Sequence, residues 1–209
     1  MNIENIKTAI KNLSEKRKIF HSEADFQFAF AWEIQKELPQ AEIRLEYCPA
    51  FAKDMHIDIF VVENGATYPI ELKYKSKLFD DMVEGEYYYL KDHKAFDVNR
   101  YAFLYDISRL EHIKRLDKKY ISGYAIMLTN EPNYWRYSYK NTSIDMAFKI
   151  YEGKEVTGFL SWSEKAGAGT TKGHEPIELQ GEYTMRWQNF SYIPETKNGT
   201  FMINIVEVK

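Results

Sequence analysis

The chain has 209 residues, 44% of them apolar and 28% charged, a balance that suits one globular domain able to bury a full core without disulfide or metal staples. Its net charge of −3 excludes the broad basic footprint of a protein that coats nucleic acid. The single cysteine, Cys48, excludes an internal disulfide framework and predicts a reducing, cytoplasmic setting.

Met1 to Lys18 is amphipathic and charged, with Ile3, Ile6, Ile10 and Leu13 on one face, which predicts a short peripheral helix and no secretion signal. No apolar run reaches the length of a membrane span. A second helix is predicted from Ser22, a good N-cap, to about Leu38, where Pro39 ends it. Ala24, Phe26, Phe28, Phe30, Trp32 and Ile34 make that helix apolar nearly all round, which predicts extensive burial.

Ile43 to Tyr47 alternates as a strand does. Ile57 to Glu63 is a β-branched run, Asn64-Gly65 is a strong hairpin signal, and Thr67 to Lys73 is the return strand. Tyr74 to Lys94 reads as a polar, Tyr-rich connection. Phe96 to about Leu116 reads as a long helix, with Phe103, Ile107, Leu110 and Ile113 at helical spacing, and Ile121 to Thr129 as another strand. Beyond it, Val156 to Trp162, Ile177 to Trp187 and Phe201 to Val208 read as strands, with a Gly-rich loop from Lys165 to His174. The predicted fold is α/β (α+β): a core over residues 1–129, with the first helix peripheral, and a β-rich extension over 130–209 packed on the same domain.

The hairpin carries the chemistry. A two-residue turn at Asn64-Gly65 sets Glu63 opposite Ala66, and counting outward sets Asp58 opposite Glu71. A four-residue turn gives the same register; a three-residue turn does not. The Cβ atoms of that pair would lie roughly 5 Å apart. Lys73 projects from the same face as Glu71, and Ile70 and Leu72 from the other. Two opposed carboxylates repel unless positive charge lies between them. Lys73 supplies part of it, and a divalent cation such as Mg²⁺, which takes one or two carboxylates and keeps several waters, supplies the rest. Glu23, on the first turn of the second helix, either favours the positive helix N-terminus or adds a third acid, and Gln27 lies one turn later on its face. Lys73, Lys75 and Lys77 share one strand face, which suits either a phosphate backbone or solvent. The same choice holds for the bases Arg100, Arg109, His112, Lys114 and Arg115, which the helix C-terminus also favours, and for Tyr87, Tyr88 and Tyr89, which either pack or stack on bases.

A helix with an early acid, then Asp58, then a hairpin to Glu71-Leu72-Lys73, resembles the PD-(D/E)xK nuclease superfamily. The likeness covers roughly residues 22–129, and Ile57 stands where that motif carries proline. It implies a restriction-endonuclease-like three-layer core, a mixed sheet flanked by helices. It implies that Asp58, Glu71 and the Leu72 backbone carbonyl bind Mg²⁺ (or Mn²⁺), that Lys73 assists the attacking water, and that Glu23 is a further catalytic acid. Gln27, Lys75 and Lys77 become substrate-binding residues. The implied activity is hydrolysis of phosphodiester bonds in DNA, for defence, restriction or repair, in a chain that can act as a homodimer. Asp97 to Glu111 also resembles a segment of uncharacterised bacterial relatives, which implies no activity. The competing expectation is a catalytically silent protein that keeps the core as a nucleic-acid or protein binding module.

Overall fold

The computed structural model describes residues 1–137 and 142–209. In chain order its elements are α1 (Ile3–Lys16), α2 (Glu23–Glu37), β1 (Glu42–Tyr47), β2 (Ile57–Glu63), β3 (Ala66–Lys75), β4 (Phe79–Val83), β5 (Glu86–Leu90), α3 (Phe96–Leu116), β6 (Gly123–Thr129), β7 (Glu155–Leu160), α4 (Ala168–Thr171), β8 (Ile177–Thr184), β9 (Trp187–Tyr192) and β10 (Thr200–Val208). A single 3₁₀ turn occupies Met146–Phe148.

The sheet grows from the hairpin. Asn64 and Gly65 both adopt positive φ (51° and 79°), the conformation a tight two-residue turn requires. The ladder runs Glu63↔Ala66, Val62↔Thr67, Val61↔Tyr68, Phe60↔Pro69 and Ile59↔Ile70. Pro69 lies between the isolated bridge Thr67↔Tyr120 and the regular ladder to β6, which starts at Ile70↔Tyr124, so it falls at a break in the pairing. The full order is β1-β2-β3-β6-β10-β9. β3 and β6 run parallel, while their neighbours pair antiparallel, so the sheet is mixed.

Helices flank both faces. One core joins α1, α2 and the β4–β5 hairpin to Ile59, Val61, Ile70, Leu72, Tyr74, Ile126 and Leu128. The other joins α3 and the β7–β8 hairpin to Phe60, Ala125, Met127, Trp187 and Val206. Every residue of β6 is buried, as a central strand covered on both faces must be. Glu111 on α3 fastens the β7–β8 hairpin, accepting from the Gln180 and Gly181 N–H groups and from the Tyr183 hydroxyl.

Several elements depart from expectation: α4 forms a helical turn inside the expected Gly-rich loop, and β9 is a strand beyond those expected. The polar connection after β3 contains the β4–β5 hairpin, because Phe79, Val83, Tyr88 and Leu90 are buried between exposed Asp and Tyr residues that hid the alternation. The strand expected from Ile177 to Trp187 is divided at Met185 and Arg186. There the chain passes from the hairpin to the main sheet, with Met185 donating to the Lys154 carbonyl and Arg186 to Asn204 Oδ1. The second helix is not buried all round: Phe28 is 58% and Trp32 66% exposed, and they line an open groove with Ile43 and Leu45 of the edge strand β1. No helix among the described residues is long and apolar enough to cross a membrane.

Candidate active site

The site forms where β2 stops and β3 continues. Leu72, Tyr74 and Ser76 alternate along β3 and its end with N–H groups turned toward the edge that β2 has left. Each finds a side-chain acceptor in place of a ladder carbonyl. Asp58 Oδ2 takes the Leu72 N–H at 2.6 Å, Glu23 Oε2 the Tyr74 N–H at 2.7 Å, and His93 Nδ1 the Ser76 N–H at 3.1 Å. An unpaired backbone donor at such an edge is costly, so the sheet itself draws two acids into place.

Glu23 reaches this edge because the start of α2 is pinned. Ser22 caps the helix by accepting from the Asp25 N–H, and Arg17 grips the Asp25 carboxylate with two 2.7 Å bonds. Burial would raise the Asp25 carboxyl, but Arg17 and the His21 N–H outweigh it and hold it below its ordinary range. One turn on, the Gln27 amide donates to Glu46 Oε1 at 2.7 Å and to the Asp58 carbonyl at 2.6 Å. Gln27 therefore acts on the backbone that carries Asp58.

The register that pairs Ile59 with Ile70 places Asp58 across from Glu71 at the next step. Glu71 is 1% exposed, and among the described residues neither of its carboxylate oxygens receives a hydrogen bond. Its nearest cation is Arg109 of α3, 3.2 Å from Oε1. The same arginine lies 3.5 Å from Asp106 Oδ1 and donates to the His56 carbonyl. Lys73, two residues beyond Glu71, sends Nζ to Asp106 Oδ2 at 2.6 Å and to the Leu72 carbonyl at 3.2 Å. Asp58, Glu71, Lys73, Asp106 and Arg109 thus form one cluster between the sheet and α3.

The cluster holds more acid than base. Burial pushes the Asp58 carboxyl up to about 6, against the Leu72 N–H and Lys73. Burial pulls the Lys73 amine down, but Asp106 and Asp58 outweigh it and keep it above its ordinary value, while burial raises the Asp106 carboxyl in spite of Lys73. Glu71 takes the strain: burial, with Asp106 beside it, raises its carboxyl well above the usual range despite Arg109.

Lys75 pairs with Glu23 at 3.1 Å, so it stays beside the site. Lys77 turns away: its amine lies 3.7 Å from Glu131, and its N–H binds Asn130 Oδ1 at 2.7 Å. Glu46 and Asp106 joined no site in the sequence, and Arg109 stood there only among the bases of the long helix. Asp106 carried a legible signal, an acid on the helix face of Phe103 and Leu110, where burial demands a partner. Glu46 carried none, because it pairs with Gln27 only after two elements dock.

No family model matches this chain, and neither a curated protein nor a solved structure matches it. The site must therefore be judged on its own chemistry.

Among the described residues no three His, Cys, Asp or Glu side chains are grouped closely enough to form a ready-made cation site. The fit of Mg²⁺ rests on fewer ligands. A buried carboxylate with no hydrogen bond on either oxygen and Arg109 beside one of them, an acid across the ladder and a carbonyl turned to an abandoned edge are hard oxygen donors, and Mg²⁺ binds through one or two carboxylates while keeping its waters. These residues fit that ion.

Proposed function

We propose that this protein is a Mg²⁺-dependent nuclease that hydrolyses phosphodiester bonds of DNA, on a restriction-endonuclease-like core of the PD-(D/E)xK type. One observation carries the reading: a buried glutamate, Glu71, lacks hydrogen bonds on both oxygens, with Asp58 across the ladder from it and Lys73 two residues on. Burying a carboxylate so is costly, and Arg109 faces only one of its two oxygens.

Asp58, Glu71 and the Leu72 carbonyl would hold the ion. When bound it lowers the pKa of a water and offsets charge gathering on the attacked phosphate. The chain's own groups do the rest. In the reaction a water oxygen bonds to phosphorus, one P–O ester bond breaks, and the departing oxygen takes up a proton. Lys73 Nζ, kept protonated by Asp106, is a donor at the place where the attacking water must be oriented. Arg109 tempers the charge of Glu71. Glu23 holds Lys75 beside the site, where its ammonium can meet a neighbouring phosphate. Gln27 holds the Asp58 backbone.

A second reading has its own support. Lys73 and Arg109 already face Asp106 and Glu71, so the cluster largely neutralises itself, as a silent binding module on the same core would. Two measurements separate the readings. A nuclease cleaves plasmid or oligonucleotide DNA with Mg²⁺ or Mn²⁺, loses cleavage to a chelator, and loses it in Asp58→Ala and Lys73→Ala. Cleavage indifferent to chelator removes the mechanism. Calorimetry showing no Mg²⁺ or Mn²⁺ uptake by the wild type, or an uptake that Glu71→Gln leaves unchanged, favours the silent module.

A further inference from the structure

The free edge of β3 runs on from the acid cluster into a cleft of about 300 Å³. The start of α2 forms one wall and the β4–β5 hairpin the other, and Glu23, Lys75, Tyr89, Lys91 and His93 line it. Lys75 lies two residues past Lys73 on the same strand, roughly 7 Å along it. A chain of phosphates that leaves the acid cluster along β3 therefore meets Lys75 next and then Lys91, which is exposed and carries no ion pair among the described residues.

The tyrosines of β5 differ in what they can do. Tyr88 points inward, 5% exposed, and stacks on His21 at 4.2 Å. Tyr87 and Tyr89 alternate to the outer face. Tyr87 has its hydroxyl bound to Asp80 at 2.8 Å and lies toward the acidic hairpin tip. Tyr89 is 52% exposed and shares the lining of the cleft with Lys75 and Lys91. An aromatic ring beside lysines is how proteins grip unpaired nucleotides: cations track the backbone and the ring stacks on a base.

Size and charge both bear on the form of the nucleic acid. The volume is at the low end for small-ligand pockets, about the size of one nucleotide unit. Duplex binding without sequence readout draws on many phosphate contacts, and a chain of net charge −3 is poorly supplied with them. Stacking needs no such surplus.

We propose that the cleft beside the acid cluster receives an unpaired nucleotide stacked on Tyr89, so that the substrate is single-stranded DNA or a single-stranded flank. This rests on the nuclease reading and narrows it.

The test is fluorescence anisotropy of the full chain with a labelled oligo-dT and with a duplex of the same length, in chelator so that nothing is cut. The wild type is expected to prefer oligo-dT. Tyr89→Ala should weaken that binding about tenfold, Tyr89→Phe and Tyr89→Trp should retain it, and Lys91→Ala should reduce its salt dependence. Circular dichroism of Tyr89→Ala should match wild type, since the ring is exposed. Tyr89→Ala binding as wild type does, or duplex binding as tight as oligo-dT, overturns the proposal. Cleavage with Mg²⁺ keeps the two readings apart. Duplex cut efficiently with Tyr89→Ala neutral leaves the nuclease and removes the stacking site. Tyr89-dependent binding with no cleavage of any DNA removes the nuclease and leaves the binding cleft.

Discussion

Lys73 Nζ and Asp106 Oδ2 lie 2.6 Å apart, both largely buried, and this pair ties the strand that carries Glu71 to the middle of α3. The tie makes Asp106 a positioning residue for the amine. Asp106→Ala would strand a buried ammonium and should cost about 3–5 kcal/mol, read as a lower midpoint in urea unfolding. Asp106→Asn keeps an acceptor for the amine and should fold. Under the nuclease reading its Mg²⁺-dependent cleavage should fall on the order of tenfold to a hundredfold, while Mg²⁺ affinity by calorimetry changes little. Asparagine at this position with wild-type cleavage would show that the pair is architectural only.

Asp58 sets a pH dependence whose sign can be worked out. Burial raises its carboxyl from 3.8 to about 6 in the folded chain. Between those values the native state binds more protons than the unfolded chain, so stability falls as pH rises from about 4 through about 6. The loss is on the order of 2 kcal/mol. Asp58→Asn keeps an acceptor for the Leu72 N–H and cannot titrate. Urea unfolding in chelator at pH 4.5 and pH 7 should therefore show a smaller pH difference for the variant than for wild type. Equal differences would place the Asp58 carboxylate in a wetter setting than its contacts describe.

Gln27 donates to two acceptors, Glu46 and the Asp58 carbonyl. Removing it leaves the Asp58 carbonyl without its donor, while exposed Glu46 turns to water, at a cost of about 1–3 kcal/mol, which lowers the melting temperature by roughly 2–4 °C per kcal/mol in a chain of this size. Gln27→Glu should be worse than Gln27→Ala, because a carboxylate would face two acceptors and offer no donor. Scanning calorimetry of the two variants decides it: glutamate as stable as alanine would mean that the amide does not hold the Asp58 backbone.

Local chemistry made much of this protein legible. Asn64-Gly65 is a turn because both residues tolerate positive φ, and the period-2 pattern on either side leaves one register that buries Ile59, Val61, Ile70 and Leu72 together. The facing of Asp58 and Glu71 follows from counting along that ladder. Ser22 announced the start of α2, and the spacing of Phe103, Ile107 and Leu110 announced α3. What stayed hidden rests on contacts between distant segments. Glu46 meets Gln27, Asp106 meets Lys73, and Arg109 meets both Glu71 and the His56 carbonyl only after a helix docks on the sheet.

By itself the sequence determined a mixed helix-and-strand chain with a hairpin that opposes two acids beside a lysine, since turn propensity and side-chain period act within a few residues. Tertiary structure alone decided how much charge that hairpin must share. Docking α3 brought one more acid and one more cation to Glu71 and removed the water that would have screened them, and in a medium of low dielectric each unpaired oxygen counts for far more than in solvent. It also decided which face of α2 is covered: Phe26 and Phe28 look alike in the sequence, yet one is wholly buried and the other faces solvent. The apolar character of a residue sets what burial is worth, and only the placement of the surrounding elements sets whether burial occurs.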